Sequence, residues 1–315
     1  MKKFFVLMVV FVFSLGSLFA QSVSDFDIQV HENGSVTITN YKGPGGEITI
    51  PEQIFNMPVI GIKGGTTPNY YEALTGGAFH GKKLTKVTIQ AKITVIEDFT
   101  FYENELTSVI LPETLEIIGR GAFRENKLTS IALPVNLEII ESQAFRENKL
   151  TSVTIPAKTA WIGDHAFYNN SLTAVTIPDS VTYIGNNAFN YNKLTSVVIG
   201  DGVAVIGAYA FHGESYNGQN TINNIKLGNS IKYIGEQAFF NHRSSALVVP
   251  ESVVFIGNYG LRPIGSNNTN SITIGSNVAL TGAFDDTFET AYRNNRRKSG
   301  RYTFTNGNWI PSPNR

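Results

Sequence analysis

Histidine and acidic side chains provide most of the catalytic chemistry open to a protein without cysteine, and this chain has no cysteine. Its five histidines are His31, His80, His165, His212 and His242. No Gly-x-Ser-x-Gly, His-Glu-x-x-His or P-loop motif accompanies them. An active site needs several titratable groups that converge, and the sequence shows no such cluster. It therefore predicts no catalytic residue, no cofactor and no enzymatic activity.

The elements that would position any site are set by a phenylalanine that recurs every 22 residues. The recurring residues are Phe79, Phe101, Phe123, Phe145, Phe167, Phe189 and Phe211, followed by Phe239 after a shift of six residues. A unit this short cannot bury its own apolar face, so the copies must stack and share one core. The spacing predicts a solenoid in which these eight phenylalanines form a buried structural spine.

Each unit combines a strand pattern with a turn pattern. Leu150, Val153 and Ile155 alternate with polar residues, as expected of a half-buried strand. The next segment, residues 162–170, predicts a tight turn and one helical turn. We expect its last residue, Asn170, to adopt the left-handed conformation that ends the turn. The predicted fold class is an α/β repeat solenoid with 22-residue units, each with a short strand, a tight turn and one helical turn.

Other segments are expected to seal the two ends of the stack, where strand edges would otherwise be exposed. Asn33-Gly34 indicates a hairpin turn, and Ser299-Gly300 is predicted to stop a terminal helix. The predicted cap elements are a hairpin at residues 26–31 and 36–41, a strand at 47–50, a helix over 284–292 and a hairpin at 301–305 and 308–310.

The first twenty residues differ from the rest of the chain. Lys2 and Lys3 precede an uncharged apolar run that ends at Ala20, a pattern typical of a secretory signal peptide. We predict cleavage after Ala20, with an uncleaved membrane anchor as the alternative. Export implies a periplasmic, cell-surface or secreted protein with no stable membrane span after cleavage. The predicted organisation is a signal peptide (1–20), an N-terminal β cap with the first strand unit (21–61), an inserted loop (62–76), the solenoid (77–284) and a C-terminal helix and hairpin cap (285–315).

Charge restricts the possible partners. Without Lys2 and Lys3, the chain has 23 basic and 25 acidic residues. Nucleic acids and anionic lipid surfaces attract proteins through an excess of basic side chains. We therefore expect no nucleic-acid partner and no membrane-surface partner.

Two pairs of residues deserve comparison with metal sites. His212 and His242 belong to neighbouring units, but two histidines in loops are more typical of a surface than of a metal site. Asp179 and Asp201 are one repeat apart and offer carboxylates to calcium, which requires six or more oxygen ligands. We favour the alternative that each aspartate accepts backbone hydrogen bonds at a turn. The sequence predicts no metal.

The repeat motif AFxxNxLTSVTIPxxVxxIGxxAF resembles the BspA-type leucine-rich repeat of surface and secreted proteins from treponemes and from oral and gut anaerobes. The resemblance covers roughly residues 47–284, and the segments 45–51 and 300–309 resemble the ends of treponemal members. It implies a leucine-rich repeat fold. Family members with an assigned role are described as adhesins that bind host matrix proteins, host cells or other bacteria. The chain departs from the motif at Gly200 and Gly228, which replace proline, and at Leu261, which replaces the spine phenylalanine.

One repeat position, sixteen residues after the phenylalanine and allowing for the six-residue shift, is apolar throughout. It holds Val95, Ile117, Ile139, Trp161, Tyr183, Val205, Tyr233 and Phe255. If these side chains point outward, they form an exposed apolar surface suited to binding a protein. If they point inward, they thicken the core. The candidate partner-binding residues are Ile117, Ile139, Trp161, Tyr183, Tyr233 and Phe255.

The hypothesis that follows is an exported, non-enzymatic protein that mediates protein–protein interaction, adhesin-like in its binding. Its partner would be a host matrix protein, a host-cell protein or a bacterial envelope protein. The alternative is a scaffold of the periplasm or cell envelope that associates with itself through the same apolar residues. The sequence leaves the oligomeric state open.

Overall fold

The computed structural model describes residues 21–66, 76–213, 220–263, 269–305 and 307–312. In this part of the chain the backbone winds into a parallel β-solenoid of about ten turns, with a cap at each end. The predicted fold class is thereby confirmed. The predicted signal peptide and most of the predicted inserted loop lie outside the described residues.

One face of the solenoid is a single parallel sheet of nine two-residue strands, here called the long sheet. Its strands are Val95–Ile96, Ile117–Ile118, Ile139–Ile140, Trp161–Ile162, Tyr183–Ile184, Val205–Ile206, Tyr233–Ile234, Phe255–Ile256 and Ala279–Leu280. Strands pair in register one coil apart, so Trp161 pairs with Tyr183. Glycine follows six of the nine strands. Coils pack closely there, since a Cβ on Gly163 would lie 2.4 Å from the Ser142 amide nitrogen.

The opposite face carries three separate sheets. They consist of Gly46–Ile50, Leu84–Ile89 and Ser108–Ile110; of Ala174–Ile177, Ser196–Ile199 and Asn224–Lys226; and of Ala246–Val248, Ser271–Ile274, Gly300–Thr305 and Asn308–Pro311. The segment with Leu150 and Ile155 keeps both side chains buried but is not a strand, contrary to the sequence prediction. Backbone hydrogen bonds to the preceding coil are interrupted here: the Thr151 amide donates to the Thr129 carbonyl at 3.1 Å, and the next such donor is the Ala160 amide, 2.8 Å from the Glu138 carbonyl.

The repeated phenylalanines form a continuous column of stacked rings in the interior. All eight, Phe79, Phe101, Phe123, Phe145, Phe167, Phe189, Phe211 and Phe239, are fully buried. Neighbouring rings have centroids 4.9 to 5.5 Å apart and are within 19° of parallel. At the N-terminal end the column continues into the cap through Tyr41, whose ring lies 5.5 Å from that of Phe79.

The segment around each spine phenylalanine is a pair of tight turns, in place of the expected helical turn. Around Phe145, the residues two before and two after it, Gln143 and Glu147, have φ values of 61° and 59°. The backbone of this segment forms hydrogen bonds with the next coil. The Phe145 amide donates to the Ala166 carbonyl at 2.8 Å, and the Glu147 amide donates to the Tyr168 carbonyl at 2.9 Å. Left-handed residues and bonds between coils exclude the i→i−4 pattern of an α-helix. We call this part of the solenoid the turn edge.

The recurring asparagines are buried and join the coils, so the expectation that they take the left-handed position is wrong. Asn148 Oδ1 accepts from the Leu128 amide at 3.1 Å, and its Nδ2 donates to the Phe123 carbonyl at 2.8 Å and the Phe145 carbonyl at 3.2 Å. The equivalent residues are Asn104, Asn126, Asn170, Asn192 and Asn220. We call this row the asparagine ladder. The left-handed residue is the one before each asparagine in most coils, as at Glu147.

The N-terminal cap begins with the 3₁₀ helix Val23–Asp25 and continues into the antiparallel strands Phe26–Val30 and Val36–Tyr41. These two strands match the predicted hairpin. Two further strands, Met57–Ile62 and Gln53–Ile54, extend this sheet beyond the prediction. Phe26 packs against the first spine residue, with ring centroids 6.3 Å apart from Phe79.

The C-terminal cap is the helix Asp286–Asn294 followed by a hairpin of the strands Gly300–Thr305 and Asn308–Pro311. Asp285 caps the helix by accepting from the Phe288 amide at 2.7 Å. The helix ends before the predicted Ser299-Gly300 because Arg296 and Arg297 have positive φ. No helix within the described ranges has the length and apolar character needed to cross a bilayer.

Candidate binding surface

The outward side of the long sheet carries the apolar row predicted from the repeat, here called the apolar stripe. Its residues are Val95, Ile117, Ile139, Trp161, Tyr183, Val205, Tyr233 and Phe255. In each of these two-residue strands the first residue is half-buried or exposed and the second is buried. Successive side chains of a strand point to opposite faces, so the stripe faces outward. That it binds a partner stays a prediction.

Trp161 and Tyr183 form the most closely packed aromatic pair of the stripe. Their ring centroids are 4.0 Å apart and the planes differ by 14°. Trp161 is 40% exposed, and Tyr233, two coils beyond Tyr183, is 51% exposed. The Tyr183 hydroxyl lies 3.5 Å from the Asp164 carboxylate. Burial raises the pKa of Tyr183, and the Asp164 charge raises it further.

The residue that precedes the strand is polar in five of the eight coils of the stripe, and it is Ala160, Ala204 or Val254 in the other three. Glu116, Glu138, Thr182 and Lys232 occupy this position and are exposed. The stripe therefore has a polar rim along part of its length, and an apolar centre with a polar rim is common to protein-binding surfaces.

The opposite face presents hydroxyl groups instead. Ser108, Ser152, Thr154 and Thr176 are all exposed there. This surface lacks the large aromatic side chains that supply binding energy in protein interfaces, so it is the weaker candidate.

The histidines are not placed to bind a metal in the described residues. His242 is buried; its Nδ1 accepts from the Ser244 amide at 3.1 Å, and its Nε2 donates to the Leu261 carbonyl at 3.0 Å. Burial lowers the pKa of His242 to about 4. His212 packs its ring on Phe240, with centroids 5.2 Å apart. Over the described ranges, no group of three or more histidine, aspartate or glutamate side chains is arranged to hold a metal ion.

The aspartates that suggested a calcium site link neighbouring coils. Asp179 Oδ1 accepts from the Asp201 amide at 2.8 Å, and Asp201 Oδ1 accepts from the Asn229 amide at 2.9 Å. Backbone hydrogen bonds were predicted for these carboxylates within one turn. The hydrogen bonds are present, but they join neighbouring coils. A ladder of this kind gives each carboxylate a structural role.

The turn edge holds a concave surface that was not predicted from the sequence. A groove of about 710 Å³ runs along it, lined by aromatic rings and by Asn and Gln side chains. Its residues occupy positions that vary from copy to copy, such as Asn187, Tyr191 and Gln237. A search for conserved repeat positions therefore passes over them.

Short coils that share one core, most of them with a buried phenylalanine and a ladder asparagine, define a leucine-rich repeat solenoid. A model of the BspA type leucine rich repeat region matches residues 33–125, 94–217 and 182–306, with six copies. The chain belongs to the BspA-type leucine-rich repeat family. The resemblance seen in the repeat motif is confirmed.

Solved structures of bacterial leucine-rich repeat proteins are similar to this chain. A leucine-rich repeat protein from Bacteroides ovatus is 22% identical with a TM-score of 0.58, over 84% of this chain and 67% of that one. The pneumococcal vaccine antigen PcpA is 17% identical with a TM-score of 0.45, over 82% and 84% of the two chains. The T. pallidum leucine-rich repeat protein is 18% identical with a TM-score of 0.42, over 87% and 94%. No curated protein matches the sequence.

Proposed function

We propose that this chain is an exported, non-enzymatic leucine-rich repeat protein that binds another protein through the apolar stripe, as an adhesin does. The partner is a host matrix protein, a host-cell protein or a bacterial envelope protein. The observation that carries the proposal is the outward row of apolar side chains on the long sheet, with Trp161 40% exposed. Contiguous exposed apolar surface on a soluble protein is typical of an interaction site.

The rigidity of the strands that carry the apolar stripe supports the same function. The stripe lies on strands that pair in fixed register, and the second residue of each strand is anchored in the core, as Ile162 and Ile184 are. A surface held in this way loses little conformational entropy when a partner binds. Trp161 and Tyr183 also belong to the residue types that contribute most to binding energy in interfaces.

Export is supported by the first twenty residues and by the BspA-type repeat itself. Protease treatment of intact cells tests where the protein resides. Digestion on intact cells supports surface display, whereas protection until the outer envelope is opened supports a periplasmic location.

Binding is tested with residues 21–315 and arrays of purified host matrix, host-cell and envelope proteins. We expect at least one arrayed protein to bind, and the double substitution Trp161→Ser with Tyr183→Ser to weaken that binding by about a hundredfold, since each hot-spot residue contributes about 1 to 2 kcal/mol. The matched control replaces Ile110 and Val248, exposed apolar residues of the opposite face, with Ser. Equal loss in the control, or no binding at all, contradicts the proposal.

Light scattering separates this function from the alternative of a self-associating scaffold. A partner-binding protein stays at one mass as its concentration rises. Oligomers that grow with concentration and disappear in the Trp161→Ser, Tyr183→Ser variant support the scaffold instead.

A further inference from the structure

The turn edge changes character along the solenoid. In the coils of Phe123 and Phe145 the turn edge carries ion pairs. The distance between the guanidinium nitrogen and the carboxylate oxygen is 2.7 Å for Arg124 with Glu125 and 2.8 Å for Arg146 with Glu147. From the coil of Phe167 to that of Phe239 the same positions hold aromatic or amide side chains, apart from Gly213. The groove lies in this second half.

Two aromatic clusters form the groove. In the first, the rings of Tyr168 and Tyr191 have centroids 5.0 Å apart. In the second, His212 lies 5.2 Å from Phe240 and 5.5 Å from Tyr209. Tyr168, Tyr209 and Phe240 are half-buried and His212 is buried. These rings give the groove flat apolar walls that are fixed in place by the core behind them.

Amide groups lie between and beside the two clusters. Asn187 Oδ1 accepts from Asn190 Nδ2 at 2.9 Å, and Gln237 Nε2 donates to the Tyr209 hydroxyl at 3.1 Å. No group in the described part of the chain pairs with Asn187 Nδ2, Gln237 Oε1 or Asn241 Oδ1. The groove therefore presents both donors and acceptors to a ligand.

Among the described residues that line the groove there is no Asp, Glu, Lys or Arg. Two charged side chains border it: Glu236 accepts from the Tyr209 hydroxyl at 3.3 Å, and Arg146 lies 5.1 Å from the centroid of the Tyr168 ring. Burial lowers the pKa of His165, and the Arg146 charge lowers it further. The described lining therefore has no carboxylate, ammonium or guanidinium group of its own to pair with a charged ligand.

We propose that this groove binds a neutral oligosaccharide. A sugar ring has a face of C–H groups that packs on aromatic rings, and a rim of hydroxyls that both donate and accept hydrogen bonds. A purely apolar ligand would leave the amides of Asn187 and Gln237 buried without partners, which is unfavourable. The groove combines the two kinds of contact that a sugar needs.

Its length agrees with several linked sugars. The groove spans the coils from Phe167 to Phe239, and the three steps between their rings are 5.2, 5.2 and 4.9 Å. Each step is close to the length of one sugar in an extended chain. A tri- or tetrasaccharide laid along the solenoid axis would contact both aromatic clusters.

The test is titration calorimetry of residues 21–315 with neutral trisaccharides and tetrasaccharides of glucose, mannose, galactose and N-acetylglucosamine. Oligogalacturonate of the same length serves as the charged comparison. We expect at least one neutral oligosaccharide to bind, oligogalacturonate to bind at least tenfold more weakly, and Tyr168→Ala to weaken binding about tenfold, which is the value of one aromatic contact.

The matched control is Tyr102→Ala, because Tyr102 occupies the position of Tyr168 in the charged half of the turn edge. We expect it to leave sugar binding unchanged. Asn187→Asp, which removes an amide donor at a left-handed position that Asp tolerates, gives a second variant. Absence of binding to every neutral sugar, or equal loss in Tyr102→Ala, overturns the proposal. Neither result depends on the apolar stripe, which lies on the long sheet.

Discussion

The rings of Phe211 and Phe239 stack with centroids 4.9 Å apart, although six more residues separate them than separate any earlier pair of the spine. The asparagine ladder also continues across this step. Asn220 Oδ1 accepts from the Leu194 amide at 2.9 Å, and its Nδ2 donates to the Phe189 carbonyl at 3.0 Å. The ring stacking of the spine and the hydrogen bonds of the asparagine ladder are therefore kept despite the six additional residues.

Deleting residues 214–219 should leave the solenoid folded. The deletion places Asn220 three residues after Phe211, which is the spacing of the preceding coils. Shortening a connection by six residues changes the cost of loop closure only slightly. We expect one cooperative transition with a melting temperature within a few degrees of the wild type, measured by circular dichroism. A large loss of stability would show that these six residues support the core.

Phe145→Ala should destabilise the protein by about 3 to 5 kcal/mol, because a buried ring is removed from the middle of a close-packed column. Denaturant unfolding of the purified protein measures this change. Tyr233→Ala removes a large aromatic side chain that is 51% exposed and should change stability by less than about 1 kcal/mol. Similar costs for the two substitutions would contradict the role given to the spine.

Asn148→Ala should cost about 2 kcal/mol or more, since it leaves the buried Leu128 amide without its acceptor and removes one of the two amide donors to the Phe123 carbonyl. Denaturant unfolding again provides the measurement. The matched control is Asn136→Ala, whose amide donates to the Glu113 carbonyl in an exposed position. If both substitutions have the same small effect, the ladder does not stabilise the stack.

His242 should make stability depend on pH. It occupies the ladder position of its coil, and burial lowers its pKa from 6.5 to about 4. Between these values the unfolded chain binds a proton that the folded chain excludes, so the free energy of unfolding decreases as the pH falls from 6.5 to 4. The total loss is about 3 kcal/mol.

The check is denaturant unfolding over that pH range for the wild type and for His242→Asn. We expect the variant to lose most of this dependence, because asparagine carries no proton-binding group. A wild-type profile that is flat between pH 6.5 and 4, or an unchanged slope in the variant, would show that another group is responsible.

The sequence predicts the spine and the cap hairpins well because these features have strong local signals. A phenylalanine at every twenty-second residue admits few alternatives to stacking, and Asn33-Gly34 indicates a specific turn. The long sheet has no such signal: a strand of two residues, such as Trp161–Ile162, is too short to show alternation. Its outward face was therefore open to two interpretations until the register was known.

The asparagine ladder and the groove illustrate a different difficulty. Asn148 was expected to act within its own turn, yet two of its partners, the Leu128 amide and the Phe123 carbonyl, lie in the coil before it. The groove depends on Tyr168, Asn187 and Phe240, which come from three different coils. Neither relationship is visible within a single unit, because both are made by the stacking of units.

The caps also determine how this molecule can vary in length. Tyr41 covers the N-terminal end of the phenylalanine column, and at the C-terminal end of the solenoid Phe288 of the terminal helix packs on Phe284, with ring centroids 4.6 Å apart. Between them, each coil forms its backbone bonds with the coils beside it. Whole modules can therefore be gained or lost by duplication or deletion within the gene, and the two end pieces would fit the shortened or lengthened array as they fit this one.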